Sequence, residues 1–154
     1  MTDIDDEVLR AQHVLEFPYK RSLGPVIGAF STGLRDGHLL GARTRAGRVV
    51  FPPTEYDPDT GEDTDGDLVE VGPSGVVRSW AWTDRPRPDQ PLDRPFAWAL
   101  VQPDGADTSM LHVLDAGSPD SCYSGMRVTA RFRPFAERVG SVRDIEAFVP
   151  EDAT

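Results

Sequence analysis

The sequence is short of the residues that build covalent or metal cross-links. Cys122 is its only cysteine, so neither a disulfide within the chain nor a cysteine-cluster metal site can form. No apolar run is long enough to cross a bilayer. Residues 1–7 are acidic and lack the basic and then apolar pattern of a secretory signal. These absences predict a cytoplasmic protein that makes no membrane contact.

Catalytic patterns are also scarce. Cys122 lies in a loop rich in Pro, Asp and Ser, with no adjacent His, Lys or Arg to activate a thiol. His112 stands among Leu111, Val113 and Leu114, which favours a structural histidine over a general base. The acidic residues lie in loops without the spacing of paired acid and base groups. We therefore predict no catalytic residue.

Basic charge is in short supply as well. The net charge is -10, and residues 1–77 hold 7 Lys and Arg against 14 Asp and Glu. Residues 78–133 hold 7 against 7, and residues 134–154 hold 2 against 5. Because nucleic-acid binding depends on basic side chains that displace counterions from phosphates, this distribution predicts a protein that does not bind nucleic acid.

The second half of the chain is rich in strand-forming runs. Residues 75–83, 96–102, 109–115 and 125–132 combine β-branched, aromatic and aliphatic residues between Gly, Pro, Asp and Ser. A final strand could follow in residues 141–150, where Ile145, Ala147 and Val149 alternate with Glu146 and Phe148. Short consecutive strands of this number predict a small barrel, and a five-stranded OB-fold fits the length.

Tryptophans stand out within these runs. Strict alternation places Val76, Arg78, Trp80 and Trp82 on one face of the first strand. Exposed tryptophans on an OB-fold would stack nucleic-acid bases. Trp80, Trp82 and Trp98 could equally fill the barrel wall or anchor a partner protein, and we favour core or interface.

The first 33 residues have no clear regular pattern. Residues 3–12 could form a short helix or remain an acidic tail. In residues 14–33, two prolines and three glycines interrupt the apolar residues, which predicts neither a helix nor a central strand. We expect an extended arm that carries Phe17 and Tyr19 and packs on its own barrel or on a partner chain.

Residues 34–61 suggest two small hairpins. The first has its turn at Asp36-Gly37. A short strand at residues 48–51 is stopped by Pro52-Pro53, and residues 57–61 form a tight turn with Asx chemistry at Asp57. The acidic residues 62–67 resemble a calcium loop but lack its closing Glu, so a solvated linker is the better interpretation.

A series of motifs follows the order found in a known family. That pattern has a Gly-Lys/Arg-Leu hairpin, two cysteine knuckles around a strand ending in Pro-Pro, and then Gly-x-Val-x-Ser, Arg-Pro, Tyr/Phe-x-x-Ala and Gly-Met-x-Val. The matching segments are Asp36-Gly37-His38-Leu39, Phe51-Pro52-Pro53, Gly75-Val76-Val77-Arg78-Ser79, Arg85-Pro86, Pro95-Phe96-Ala97-Trp98-Ala99-Leu100 and Gly125-Met126-Arg127-Val128. Over about residues 30–133 the chain resembles the zinc-ribbon/OB-fold proteins that accompany thiolase-like enzymes of acyl-CoA metabolism (domain of unknown function 35).

The cysteine knuckles of that family are replaced here. By position the knuckles correspond to residues 43–47 and 57–61, so the ligand positions hold Arg43, Ala46, Asp57 and Thr60. Structural zinc needs four thiolate or imidazole ligands, which these residues do not supply. We predict that zinc is absent, that the protein needs no cofactor of its own, and that Arg43 and Asp57 pair in place of the metal cross-link.

The resemblance implies a mainly β fold in three parts. Residues 1–33 would be an N-terminal helix or extended arm, and residues 34–74 a degenerate rubredoxin-like zinc ribbon. Residues 75–154 would form a five-stranded OB-fold barrel with a C-terminal extension.

The resemblance also implies a function. The chain would be a non-catalytic accessory subunit, in a hetero-oligomer with a thiolase or a thiolase-fold, lipid-transfer-protein-like aldolase that acts on acyl-CoA thioesters. Some members of the family serve steroid side-chain degradation, where the partner cleaves a β-hydroxyacyl-CoA by retro-aldol chemistry. Two other hypotheses stay open, a single-stranded nucleic-acid-binding OB-fold module and an enzyme in its own right.

The partner would hold most of the CoA thioester. Arg85 and Arg87 lie in a stiff basic loop that either contacts the CoA phosphates or is only solvated. The residues expected at the partner interface are Phe17, Tyr19, Trp80, Trp82, Arg85 and Arg87.

Overall fold

The computed structural model describes residues 11–18, 22–64 and 66–151. These form one α-helix, eight strands and three 3₁₀ turns. The helix and strands are α1 (Gly24–Asp36), β1 (Leu39–Arg43), β2 (Val49–Val50), β3 (Leu68–Val71), β4 (Ser74–Thr83), β5 (Phe96–Pro103), β6 (Met110–Leu114), β7 (Arg127–Phe132) and β8 (Ile145–Pro150). The helix suggested for residues 3–12 falls mostly outside the described residues.

The last five strands close into a barrel. Their order around it is β4-β5-β6-β8-β7, with every pair antiparallel except β6 and β8. A small closed barrel of five strands has no unpaired edge and is the architecture of the OB-fold. The predicted mainly β fold with a five-stranded barrel is therefore confirmed.

A β-bulge corrects the predicted faces of β4. The pairing of β4 with β5 shifts register between Val77 and Ser79, so Arg78 is an extra residue in the strand. Val77 is fully buried, whereas Val76 is only partly buried. Beyond the bulge, Trp80 and Trp82 pack against the same core cluster as Val77. The single face predicted for Val76, Arg78, Trp80 and Trp82 was wrong because alternation does not continue across a bulge.

A second irregularity changes the faces of β8. Register with β7 shifts between Arg131 and Phe132. Ile145, Ala147 and Phe148 are buried, while Val149 is only partly buried. The final strand therefore exists, but the predicted grouping of Val149 with the inward residues was wrong, since Phe148 takes the core position.

Helix α1 corrects the interpretation of residues 14–33 and of the first hairpin. Pro25 lies in the first helical turn, where no intrahelical N–H bond is lost. The buried face is formed by Val26, Phe30 and Leu34, at a spacing of four residues. Gly37, with φ 91°, caps the helix and donates its N–H to the carbonyls of Gly33 and Leu34. Asp36-Gly37 is thus a helix C-terminus, and the prediction of a hairpin turn there was wrong.

The region between helix and barrel is a three-stranded sheet in the order β2-β1-β3. Two glycine turns flank β2 and its Pro pair. At the first, the N–H of Gly47 bonds the carbonyl of Thr44 at 2.8 Å. At the second, Asp57 Oδ1 accepts the N–H of Asp59 at 2.9 Å, which confirms the Asx turn.

One hydrophobic core joins the three parts. It contains Phe30 and Leu34 of the helix, Val71 of the sheet, and Val101 and Phe148 of the barrel. Sheet and helix are therefore packed on the barrel rather than tethered to it.

Hydrogen bonds fasten the sheet to the turn between β5 and β6. Asp107 accepts the Val49 N–H on its carboxylate at 2.7 Å and donates its own N–H to the Val49 carbonyl at 2.8 Å. Thr108 Oγ1 bonds both the N–H and the carbonyl of Phe51, at 2.6 and 2.7 Å. These contacts join the sheet directly to the barrel.

Candidate functional site

A cleft of about 490 Å³ lies on the outer side of the barrel. Its floor comes from β5 and β6, and its walls come from the 84–95 loop and from residues 133–146. In OB-folds the second and third strands, with the loops after the first and the fourth strand, form the usual ligand-binding face. Those elements are β5, β6 and the two loops that wall this cleft.

Apolar side chains line the centre of the cleft. Trp98 packs edge-on against Phe96, with ring centroids 5.3 Å apart. Leu111 and Val142 also line the cleft, yet they keep 59% and 46% of their surface exposed. The cleft therefore offers apolar surface that no described part of the chain covers.

His112 contributes a neutral ring to the cleft wall. Its Nε2 lies 3.0 Å from the Val142 carbonyl, so that nitrogen carries the proton. Nδ1 is buried and has no hydrogen-bond partner among the described residues. Burial lowers the pKa of His112 by disfavouring the charged form, and the bond to Val142 only partly opposes this. The predicted structural role is supported by the bond to Val142 and by edge-on packing on Phe148.

Two arginines at the rim of the cleft have little negative charge beside them. Arg133 donates its Nε–H to the Arg143 carbonyl at 2.8 Å, and its Nη1 is 4.0 Å from Glu137. The guanidinium of Arg143 is exposed and has no ion pair or hydrogen bond with the described residues. The lining contains two acidic residues, Asp89 and Glu146. Glu146 is paired with Arg131 at 2.8 Å, so Asp89 is the acidic lining residue that could oppose the charge of the two arginines.

The arginine-bearing wall is held by a buried carboxylate. Asp144 is 1% exposed and accepts the N–H groups of Val139, Gly140 and Ser141 at 2.7 to 3.1 Å. Burial alone would raise the pKa of Asp144, but the three N–H donors stabilise the charged form and the net shift is downward. This network fixes the loop on which Val142 and Arg143 lie.

Arg85 and Arg87 lie on the 84–95 loop, away from any strong partner. The Arg85 side chain is 96% exposed, and its only described ion pair is with the adjacent Asp84 at 4.0 Å. Arg87 is exposed; its N–H donates to Gln90 Oε1 at 2.9 Å, and its carbonyl accepts the Gln90 N–H at 3.0 Å. Both arginines are accessible, while the cleft lining comes from Asp89, Gln90 and Pro91 of the same loop.

The other residues predicted at the interface are not gathered in the cleft. Phe17 is 73% exposed in a segment without regular secondary structure, and Tyr19 lies outside the described residues. Trp80 and Trp82 are partly buried against the main core, which agrees with a role in the barrel wall. Their role at an interface stays a prediction.

The positions that correspond to the family's zinc ligands show a different pairing from the one predicted. Arg43 pairs with Asp67 at 3.4 Å, and Arg48 pairs with Asp59. The prediction of an Arg43–Asp57 pair was wrong, because Asp57 is buried and its carboxylate caps the turn at Asp59. Among the described residues no cluster of His, Cys, Asp or Glu could hold a metal ion.

Cys122, the remaining candidate nucleophile, shows no sign of activation. Cys122 is buried, and its thiol lies 3.6 Å from the Ser118 carbonyl. Burial raises the pKa of Cys122, which disfavours the reactive thiolate.

The sequence did not reveal the cleft. Trp98 and His112 lie on strands that the sequence predicts. Val142 and Arg143 come from a loop about 30 residues after His112, so nothing local connects them with the strands. Only the OB topology, which places the loop after the fourth strand over the second and third, could have suggested their proximity.

Comparison with known proteins identifies the barrel. Residues 68–133 match the family model of the C-terminal OB-fold domain of ChsH2. No curated protein matches the chain. Within the described residues, no helix has the length and apolar character needed to cross a membrane.

Two solved structures share the fold. A chain of the structure described as "Ltp2-ChsH2(DUF35) aldolase" has a TM-score of 0.59 at 21% identity, over 85% of this chain and 98% of that chain. A DUF35-family protein of unknown function from Sulfolobus solfataricus has a TM-score of 0.57 at 18% identity, over 70% of this chain and 77% of its own. The resemblance indicated by the motifs is therefore confirmed: residues 68–133 match the C-terminal OB-fold domain of ChsH2, and the two solved structures, both described as DUF35 proteins, share the fold.

Proposed function

We propose that this protein is a non-catalytic accessory subunit of a thiolase-like or aldolase enzyme that acts on acyl-CoA thioesters. The observation that carries the proposal is the match of residues 68–133 to the ChsH2 C-terminal OB-fold domain. A structural neighbour over most of the chain is described as an Ltp2-ChsH2 aldolase. The proposed reaction of the partner is retro-aldol cleavage in steroid side-chain degradation.

The geometry supports a role in binding. The cleft is lined by aromatic, aliphatic and arginine side chains, and its described lining contains no nucleophile beside a general base. Cys122 is buried with a raised pKa, and the ring of His112 is held by Val142. Such a surface recognises a ligand or partner and leaves the chemistry to another chain.

The exposed segment of residues 11–18, which has no regular secondary structure, supports a hetero-oligomer. Residues 11–18 are all exposed, and they include Val14, Leu15 and Phe17 at 63%, 68% and 73% exposure. An apolar segment of this kind repays its ordering cost when it lies on another chain. We propose that this arm wraps the partner enzyme, with Trp80, Trp82, Arg85 and Arg87 near the CoA entrance.

Co-expression with a thiolase-like or aldolase enzyme from the same organism tests the proposal. We expect the two chains to elute together in size-exclusion chromatography, and the acyl-CoA cleavage activity to require both. A Phe17→Ala variant should weaken the complex, whereas Asp120→Ala, an exposed position on another surface, should leave it intact. Separate elution, with a partner equally soluble and active alone, would refute the accessory role.

One observation favours a second candidate function. The cleft occupies the face that OB-folds use for oligonucleotides. Against this, a single-stranded nucleic-acid site needs a basic groove that follows several phosphates, and the net charge of the chain is -10. Salt-sensitive binding of a single-stranded oligonucleotide would favour this alternative.

A further inference from the structure

His112 links the floor of the cleft to one of its walls. The ring belongs to β6, and its Nε2–H donates to the carbonyl of Val142 at 3.0 Å. Val142 begins the 3₁₀ turn Val142–Asp144, which stands in the loop wall and carries Arg143. His112 therefore holds this turn against the barrel.

The other ring nitrogen has no place for a second proton. Nδ1 is buried and makes no hydrogen bond with the described residues, and the ring packs edge-on against Phe148 with centroids 5.8 Å apart. Neutral imidazole leaves only a lone pair without a partner at this position. Imidazolium would bury a charged N–H without an acceptor, which costs far more free energy.

The carboxylates around His112 serve other partners or stand on the other wall. Asp144 accepts three backbone N–H groups, and Glu146 of β8 pairs with Arg131 at 2.8 Å. Asp89 lines the cleft from the 84–95 loop, which forms the opposite wall. A proton on Nδ1 would therefore gain little from these three acids.

The remaining surroundings of the ring disfavour positive charge. Arg133 and Arg143 line the same cleft and would repel an imidazolium. The neighbouring strands contribute Ala99 of β5 and Phe148 of β8, and β6 holds no other charged residue. Burial accordingly lowers the pKa of His112 from its ordinary value of 6.5.

We infer that His112 is a pH-sensitive latch on the cleft wall, whose neutral form holds the turn Val142–Asp144 against β6 and whose protonated form releases it. An imidazolium gains water only by leaving its buried position, and that movement breaks the bond to Val142. Mild acid drives other histidine switches through the same conflict between charge and burial. The inference concerns the chain itself and does not rest on the proposed function.

The release is confined to the turn. Asp144 holds residues 139–141 through bonds in which His112 takes no part. The rest of the loop therefore keeps its place, while Val142 and Arg143 move and change the shape of the cleft.

The latch opens as pH falls. Above pH 6.5 the ring is neutral in both the closed and the open state, so pH does not shift the balance between them. Below that value the exposed ring of the open state takes up a proton before the buried ring of the closed state. Each further fall in pH then favours the open state, until the closed state titrates as well.

Amide hydrogen exchange of the full-length protein, followed by NMR from neutral to mildly acidic pH, tests the latch. The reporters are the N–H groups of Arg143 and Asp144, which bond Ser141 at 3.3 and 2.8 Å within the turn. After correction for the intrinsic pH dependence of exchange, their protection should fall below pH 6.5, by up to about tenfold per pH unit for uptake of one proton. Protection of β4 and β5 should stay constant over the same range.

Two variants assign the effect to one histidine. His112→Gln cannot titrate but keeps an N–H group for the Val142 carbonyl, so exchange in its turn should not respond to pH. His38→Gln is the matched control, because His38 bonds Glu70 of the three-stranded sheet at 2.8 Å. This control should keep the pH response of the turn unchanged.

Three results would overturn the latch. They are constant protection of the turn in the wild-type protein, a pH response that survives in His112→Gln, and a loss of protection that reaches β4 and β5 together with the turn. If His112→Gln does not fold, NMR titration of the wild-type protein decides. The imidazole signals of His112 and the amide signal of Arg143 should then move with one midpoint below 6.5, and separate midpoints would reject the latch.

Discussion

Single buried polar residues hold the loop that shapes the cleft. Asp144 is almost fully buried, and its carboxylate receives three backbone N–H groups from residues 139–141. Ser141 completes the arrangement, since its Oγ accepts the Arg143 N–H at 3.3 Å and forms a capping box with Asp144. The conformation of the loop therefore depends on one charged acceptor that receives three N–H groups.

Replacing this carboxylate should be costly. Asp144→Asn keeps the size of the side chain but offers N–H groups to backbone donors, so at least one donor is left buried and unpaired. We expect the free energy of unfolding to fall by about 1–3 kcal/mol in urea titrations. Asp120→Asn, at an exposed position, is the control and should change it little. An unchanged midpoint for Asp144→Asn would contradict this account.

Acid should destabilise the protein in two steps. The pKa of His112 is below its ordinary 6.5, so the stability of its neutral, buried form is complete above that value and declines below it. The pKa values of several paired carboxyls lie below their ordinary values, so their contribution is lost only at lower pH, as pH falls through those depressed values. These carboxyls are Asp104, Asp115, Asp144 and Glu151.

Melting temperatures measured from neutral to acidic pH check both steps. The decline just below pH 6.5 should be missing in His112→Gln, while the decline in strong acid should persist. A wild-type curve that stays level until the carboxyls titrate would show that His112 is not held neutral by folding.

At the scale of elements, closure of the barrel depends on one close backbone approach. Gly75 of β4 pairs with both Pro103 of β5 and Val128 of β7. A Cβ built at Gly75 would lie 2.8 Å from the Pro103 Cα and would also clash with the Gln102 carbonyl. Both neighbours are backbone, so they cannot move aside without opening the β4–β5 pairing.

Gly75→Ala should therefore destabilise the barrel by about 1–3 kcal/mol, the usual cost of overpacking. Gly28→Ala is a contrasting control, since nothing lies within 4 Å of its Cβ position in α1. Alanine is the better helix former, so Gly28→Ala should stabilise by up to about 1 kcal/mol. Equal effects of the two changes in chemical unfolding would argue against the tight approach at Gly75.

Hydrogen bonds fasten the three-stranded sheet to the barrel. Val49 and Phe51 are bonded through Asp107 and Thr108 of the barrel, and Phe51 packs edge-on against Phe30 of the helix with centroids 6.0 Å apart. The sheet thus gains its stability from its neighbours rather than from within.

We expect purified protein to contain no stoichiometric zinc. The ligand positions hold Arg43, Ala46, Asp57 and Thr60, and the Asp57 carboxylate is engaged in its turn. Elemental analysis should find far less than one zinc per chain, and a chelator should leave the melting temperature unchanged. One zinc per chain, or a loss of stability with the chelator, would contradict this expectation.

At the scale of the molecule, the fold is compatible with nucleic-acid binding, whereas the net charge opposes it. The barrel has the topology of nucleic-acid-binding OB-folds, yet the chain carries a net charge of -10. Several of its arginines are already paired: Arg94 and Arg131 with Asp115, and Arg127 with Asp104 and Glu151. Few cations remain for a row of phosphates.

We therefore expect no appreciable binding of single-stranded DNA or RNA at physiological salt. A fluorescence titration with a labelled oligonucleotide should show no saturation, because association releases too few counterions to offset long-range repulsion. Tight binding that weakens steeply with added salt would show that a local basic surface overrides the net charge.

The sequence by itself determined the barrel and the family that it resembles. Five strand-forming runs between turn residues are a local pattern with period two, and the motif order from Phe51 to Val128 identified the DUF35 resemblance. Charge and the missing zinc ligands are likewise properties of composition and position. These features can be read from the sequence without knowing which distant residues come into contact in the fold.

Tertiary structure decided the rest. Helix α1 was missed because Pro and Gly were read as breakers, although Pro25 lies in the first turn and the apolar face of Val26, Phe30 and Leu34 finds its core on the sheet and barrel. The bulge at Arg78 reversed the faces of β4, which no alternation rule anticipates. The cleft arose only when β8 paired beside β6 and carried the loop with Val142 and Arg143 over Trp98 and His112, because long-range pairing, not local sequence, brings those side chains together.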